Sequence, residues 1–197
     1  MTDMNKEIIN FLKEQELCIN KTLIQSSKIL KIIKIITRVK NTNKKIFTMG
    51  NGGSGSTSSH FVSDLLKTAI IAKEKRFQAF SLVDNIPVIL AWSNDAAYDR
   101  IFVEQLKNSL SKGDMLIAFS GSGNSKNLIK AFQYGKKIGA KCIGFTGKGG
   151  GILKKYCDIC FEIPSTDMLT IESQHIVICH CIISCIRKTG IPLFKYS

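Results

Sequence analysis

Two stretches of this 197-residue chain combine glycine with hydroxyl side chains in a way that suits an anion. The first is Met49-Gly50-Asn51-Gly52-Gly53-Ser54-Gly55-Ser56-Thr57-Ser58-Ser59-His60-Phe61-Val62-Ser63-Asp64, and the second is Phe119-Ser120-Gly121-Ser122-Gly123-Asn124-Ser125. Each follows a short apolar run and precedes apolar residues at helical spacing, so each reads as a strand-to-helix turn. Such a turn aims backbone N–H groups from the positive end of a helix. Gly50, Gly52 and Gly53 allow a sharp turn and close approach to a ligand. Neither stretch has the lysine of a P-loop; Gly50, Gly52 and Gly55 of the first do fall at G-x-G-x-x-G spacing, a pattern that is weak on its own. One turn alone reads equally well as a Gly-rich connection with a serine N-cap. Two of them, at strand ends of one parallel sheet, converge where such sheets bind ligands and favour a phosphorylated small molecule.

Titratable groups flank the first turn. His60 and Asp64 are four residues apart on the helix that begins there, so they share a face. Glu172, His175 and His180 lie in an otherwise apolar final helix. At ~100° per residue, Glu172 and His180 fall about 80° apart, on one broad side. Polar groups in an apolar helix are costly to bury unless paired or metal-bound. A surface ion pair and a core histidine are the plainer readings. Cys157-Asp158-Ile159-Cys160 is a C-x-x-C without a second cysteine pair at zinc spacing. Read as a strand, it sends its two thiols to opposite faces, so packing is expected. Cys179, Cys181 and Cys185 read as helix packing.

The elements that must position these groups alternate. Residues 4–40 read as helix, with a break near Asn20 or Ser26-Ser27 and an apolar face at Ile8, Ile9, Phe11 and Leu12. Ile29, Leu30, Ile32, Ile33, Ile35 and Ile36 leave only a lysine stripe, so this part is expected to be buried by another subunit. Strands are predicted at Lys45–Met49, Gln78–Val83, Met115–Phe119, Cys142–Thr146 and Ile159–Ile163. Helices are predicted between them, near 57–72, 86–92, 99–110, 124–138 and 150–156, with a last one from Met168 to Lys188. This is an α/β pattern, a five-stranded parallel sheet between helical layers. No repeat or linker divides the chain, so one domain is expected over 1–197. Residues 1–43 form its helical oligomerisation segment, and 44–197 its α/β core and C-terminal helix.

The apolar fraction of 44% and charged fraction of 22% are those of a globular protein. No apolar run reaches membrane-spanning length and the first residues do not resemble a signal peptide, which predicts a cytoplasmic protein. Seven cysteines, several in apolar runs, fit reduced thiols better than a disulfide framework. The net charge of +13 comes without a helix-turn-helix signature or an aromatic-interleaved basic stripe, so nucleic acid is not the expected partner.

Taken in order, the chain resembles the phosphosugar-isomerase (SIS) domain, and within it the phosphoheptose isomerases. The resemblance rests on Gly50-Asn51-Gly52-Gly53-Ser54, His60-Phe61, Asp64, Ser93-Asn94-Asp95, Gln105-Leu106 and Ser120 to Ser125. It continues through Gly144-Phe145-Thr146-Gly147, Ser165-Thr166-Asp167, His175 and His180. It implies a flavodoxin-like sheet, a homotetramer with active sites at subunit contacts, and isomerisation of sedoheptulose 7-phosphate to a glycero-manno-heptose 7-phosphate for lipopolysaccharide, capsule or S-layer sugars. It implies that Asn51, Gly52, Gly53, Ser54, Asn94, Asp95, Ser120, Gly121, Ser122, Ser125 and Glu172 bind the sugar phosphate. Asp64 and His180 are the implied base and acid, in roles that can exchange. Some members bind zinc at positions matching His60, Asp64, Glu172 and His180; no nucleotide cofactor is implied. The chain departs from the usual pattern where Asp64 replaces a glutamate, Glu172 a glutamine, Gly121 a threonine and Met168 a threonine. The alternative is a non-catalytic SIS protein that senses sugar phosphates or binds a replication initiator. Such proteins lose the acid or the final histidine that this chain retains.

Overall fold

The computed structural model describes residues 3–194, so both ends of the expected 1–197 domain lie outside the described residues. Helix α1 (Met4–Thr22) is capped by Asp3, whose carboxylate accepts the Asn5 and Lys6 N–H groups. A 3-10 turn at Leu23–Gln25 separates it from α2 (Ser26–Asn41), close to one of the expected breaks. The chain then lays down β1 (Lys45–Met49), α3 (Gly53–Ser63), β2 (Gln78–Ser81), α4 (Ile86–Asp95), α5 (Val103–Ser109) and β3 (Met115–Ser120). It finishes with α6 (Lys126–Ile138), β4 (Lys141–Thr146), β5 (Ile159–Glu162) and α7 (Met168–Arg187). The predicted strands all form, within two residues of their expected ends.

All strand pairs are parallel, in the order β2-β1-β3-β4-β5. The chain leaves β1 toward one edge and β3 toward the other. Their carboxyl ends therefore flank the crevice where open α/β sheets bind ligands. Both glycine turns follow these two strands. Side chains alternate along each strand. Ile46, Met115, Ile117, Phe119, Ile143 and Phe145 face α2, α3 and α7. Phe47, Met49, Leu116, Ala118 and Cys142 face the layer that includes α5 and α6.

Several expectations change. Ile29, Ile32 and Ile36 are buried in the chain's own core, with Ile33 and Ile35 packed against it. One face of the sheet needs a helix to cover it, and α2 does so, so no second subunit is required there. Leu30 of α2 remains exposed, and a further group of exposed apolar side chains lies on α1 and its following turn. Leu12 is 60% exposed and Ile24 85%, and Ile8, Ile9 and Phe11 are exposed too. The helix expected from residue 57 begins at Gly53 and widens to a π-helical turn at Asp64–Thr68. The helix expected at 150–156 is only a 3-10 turn, Leu153–Tyr156. By length and composition α7 could span a membrane, contrary to the expectation from uninterrupted apolar runs, yet half of it is buried against the rest of the chain.

All seven cysteines are free thiols. Cys157 precedes β5 rather than lying in it. Hence Cys157 and Cys160 do not point to opposite faces but both abut Gly144 of β4.

Candidate active site

The first turn is shaped by what glycine alone permits. A Cβ on Gly50 would lie 2.4 Å from the Ser54 carbonyl oxygen, and Gly52 caps α3 with φ of 54°. Ser54 is buried at the start of α3. The other hydroxyls of this stretch are mostly engaged in the fold. Thr57 donates to the Gly53 carbonyl, Ser58 to Thr48, and Ser59 to Asp84.

The second turn leaves β3. Its Ser120 hydroxyl accepts the Gly123 N–H and its Ser122 hydroxyl accepts the Asn124 N–H, both at 3.1 Å. The Gly147 N–H holds the Gly121 carbonyl at 2.9 Å. Ser125 occupies the N-cap of α6 without spending its hydroxyl there.

The two turns line one cleft of about 320 Å³, with Asn51, Gly52, Gly53, Ser54, Ser120, Gly121, Ser122 and Ser125 on its walls. The starts of α3 and α6 and the four serines thus line one space, an arrangement suited to phosphate. Glu172 and Met168 of α7 complete the lining. Each fits because the turn opposite has no side chain. A Cβ on Gly53 would fall 2.3 Å from the Glu172 carboxylate, and one on Gly121 would fall 2.3 Å from the Met168 sulfur. Asn51 is tied down, its Oδ1 accepting from Tyr98 Oη and Asn127 Nδ2, each at 2.8 Å. Asn94 and Asp95 do not line this cleft. They sit at the exposed end of α4 and hydrogen-bond to each other.

Farther along the same two helices, three titratable groups meet. His180 Nε2 lies 3.0 Å from His60 Nε2. The Asp64 Oδ2 atom is 3.5 Å from His60 Nε2 and 3.7 Å from His180 Nε2. These last two separations are too long for hydrogen bonds, and Asp64 Oδ2 is buried without a partner. Its charge, after burial itself, pushes the neighbouring Cys179 thiol up. All three groups come from one chain, so no subunit contact is needed to assemble them. Glu172 is outside this cluster.

The cluster suits a metal ion by geometry. Ligand atoms on a tetrahedral zinc, with bonds of about 2.0–2.2 Å, stand roughly 3.3–3.6 Å apart. The observed edges of 3.0, 3.5 and 3.7 Å bracket that spacing, and the Asp64 carboxylate oxygen would supply a negative ligand.

His175, on the same helix, is a core residue. It is fully buried against Phe119 and Phe145, and neither ring nitrogen makes a hydrogen bond. Burial pushes its pKa down to about 4. Met168 was not foreseen as a lining residue. The sequence marks Met168 and Gly121 only as departures from the family pattern, and their contact exists only once α7 has docked.

The sheet order, the paired turns and the α3–α7 cluster define a phosphosugar-binding α/β protein of the SIS class, and residues 11–147 match the family model described as the SIS domain. The sequence is 36% identical over 157 residues to a phosphoheptose isomerase of Clostridium acetobutylicum, covering 80% of each protein. It is also 36% identical over 176 residues to one of Aliarcobacter butzleri, covering 89% of this chain and 92% of that one. A phosphoheptose isomerase structure from Francisella tularensis superposes with a TM-score of 0.89 at 26% identity, over 95% of this chain and all of that one. The chain belongs to the phosphoheptose isomerase family.

Proposed function

We propose that this chain is a cytoplasmic ketose–aldose isomerase. It converts sedoheptulose 7-phosphate to D-glycero-D-manno-heptose 7-phosphate through an enediol, supplying heptose for lipopolysaccharide or capsule. The observation that carries this reading is the placement of two centres on one helix pair. The anion cleft lies at Gly53 and Glu172, and the His60–Asp64–His180 cluster lies farther along α3 and α7. Gly53 and His60 are seven residues apart, about 10 Å at ~1.5 Å per residue. An extended seven-carbon sugar phosphate spans such a gap, with its phosphate at one end and its reacting carbons at the other.

In this reading Ser54, Ser120, Ser122 and Ser125 hold the phosphate, and Glu172 orients a sugar hydroxyl beside it. Asn51, Gly52, Gly53 and Gly121 shape the cleft. Asp64 removes the proton beside the carbonyl and returns it to the neighbouring carbon, while His180 exchanges a proton with the oxygen. His60, 3.0 Å from His180, fixes which ring nitrogen carries the proton. His60, Asp64 and His180 would hold a zinc ion. When bound, zinc supplies Lewis-acid polarisation of the carbonyl. Such a protein works as a homotetramer with active sites at subunit contacts, and the exposed apolar side of α1 is the surface offered for assembly.

The test is hydrogen exchange between solvent and C1 or C2 of sedoheptulose 7-phosphate in deuterated buffer, with and without zinc. Exchange accompanied by aldose formation is expected. Binding of the sugar phosphate without any exchange would overturn the isomerase reading in favour of a sugar-phosphate sensor.

A further inference from the structure

The Cys157-Asp158-Ile159-Cys160 segment plays no part in the isomerase reading, yet it forms a built arrangement. Asp158 pins it to β4. Its N–H donates to the Cys142 carbonyl at 2.7 Å, and its carboxylate accepts the Cys142 N–H at 2.8 Å. This bend returns the chain so that Cys160 registers beside Gly144 while Cys157 lies over it. A Cβ on Gly144 would stand 2.7 Å from the Cys157 sulfur and 3.9 Å from the Cys160 sulfur. Glycine here leaves room for both thiols over one backbone position.

The two sulfurs are not equivalent. Thr146 Oγ1 lies 3.4 Å from Cys160, and Cys157 is 3.3 Å from the Leu153 carbonyl it donates to. The Cys157 thiol and then the Thr146 hydroxyl hold the Cys160 thiol down at about 7, against the effect of burial. Pairing with Cys160, then burial, pushes Cys157 well up. Both residues are partly exposed, unlike the buried Cys142, Cys179 and Cys18. A thiolate whose pKa is near ambient pH is the most effective attacker in thiol–disulfide exchange.

We propose that Cys160 and Cys157 are a redox-active dithiol, with Cys160 attacking and Cys157 resolving, oxidised by low-molecular-weight disulfides. The Cys160 thiolate attacks one sulfur of the small disulfide, forms a mixed disulfide and expels one thiolate. Cys157 gives up its proton and attacks the Cys160 sulfur, forming the intramolecular bridge and expelling the second thiolate. Two protein thiols are oxidised, and one small disulfide is reduced to two thiols.

The pair is linked to the second glycine turn through the Leu153 carbonyl that Cys157 donates to. The Leu153 N–H donates to the Gly123 carbonyl at 2.9 Å, and the Ile152 N–H donates to Asn124 Oδ1 at 3.0 Å. Bridging draws Cys157 away from the Leu153 carbonyl and so loosens this support of the Gly121–Ser125 turn. The oxidised protein therefore binds phosphate severalfold more weakly than the reduced one.

The test treats the reduced full chain with oxidised glutathione. Intact mass, peptide mapping and calorimetric titration with inorganic phosphate follow the reaction. Loss of two hydrogens, a mapped Cys157–Cys160 bridge and reaction faster than at the exposed Cys185 are expected. Cys157→Ser should instead retain one glutathionyl group on Cys160. No bridge in the native chain, or a Cys160 no faster than Cys185, overturns the dithiol. A bridge with unchanged phosphate affinity overturns its coupling to the cleft. Only the cleft's use for a sugar phosphate rests on the isomerase reading. Loss of that reading leaves the mass and phosphate results standing.

Discussion

Gly121→Ala is the sharpest probe of how the anion cleft is closed. The substitution adds one methyl group, and the backbone at Gly121 does not require glycine by its φ angle. The conflict is steric. The new Cβ falls 2.3 Å from Met168 Sδ, 2.9 Å from its Cε and 3.8 Å from Ile171. Met168 must leave, and with 47% of its surface exposed it has somewhere to go. Overpacking costs about 1–3 kcal/mol, and a flexible, half-exposed thioether places this case near ~1 kcal/mol of stability. The displaced thioether swings toward Ser122 and Ser125 on the same cleft wall. Inorganic phosphate and the ketose phosphate should then bind about tenfold more weakly, roughly 1.4 kcal/mol. Met168→Ala removes the obstacle, so the double variant should regain most of that loss. A coupling of about 0.5–3 kcal/mol is the scale for residues in contact. Calorimetric titration with phosphate and thermal unfolding of the four proteins measure it. If the penalty of Gly121→Ala persists in full when Met168 is alanine, the two residues do not form one wall and the reasoning fails.

Asp64→Asn and His180→Ala should each abolish solvent exchange into sedoheptulose 7-phosphate, while circular dichroism and phosphate affinity stay as in the native protein. Zinc titrated into the metal-free chain should bind one ion per chain, and His60→Ala should lower that affinity at least tenfold by equilibrium dialysis. His175 has a folded pKa of about 4, below its ordinary value, so between about pH 4 and 6.5 the unfolded chain binds the extra proton. Stability should therefore rise with pH across that window by at most ~3 kcal/mol, and His175→Leu should flatten the rise in urea titrations. Ile8→Lys with Leu12→Lys should shift the assembly toward smaller species in light scattering without unfolding the chain, since both side chains are already exposed within it.

The sheet was legible because its strands are continuous apolar runs bounded by turn residues, a local signal that survives in one sequence. The two glycine turns were legible for the same reason, as was the i, i+4 pairing of His60 and Asp64. What was not legible depends on docking. The apolar breadth of α2 announced burial but not by what, and the chain's own sheet proved to be the answer. Helical phase and the family resemblance both group Glu172 with His180. Two turns separate them along α7, and the gap at Gly53 draws the carboxylate to the cleft. The two cysteines were assigned to opposite faces on the premise of a straight strand, and the bend at Asp158 removes that premise.

The placement of Glu172 has its cause in the pairing of α3 with α7. Both helices start beyond the carboxyl edge of the sheet, one after β1 and one after β5, and both lie over the same sheet face. Their starts meet where Gly53 admits Glu172, and farther along His60 meets His180. Seven residues of α3 and eight of α7 separate the two meetings, about two turns on each helix. The separation between anion cleft and titratable cluster is therefore set by helical rise rather than by loops, and a rigid element holds it. Sliding either helix by one turn, about 5.4 Å, would break both meetings together. A side chain at Gly53 would force such a shift unless Glu172 moved aside. The glycine that opens the anion turn thus also fixes the register that brings His60, Asp64 and His180 together.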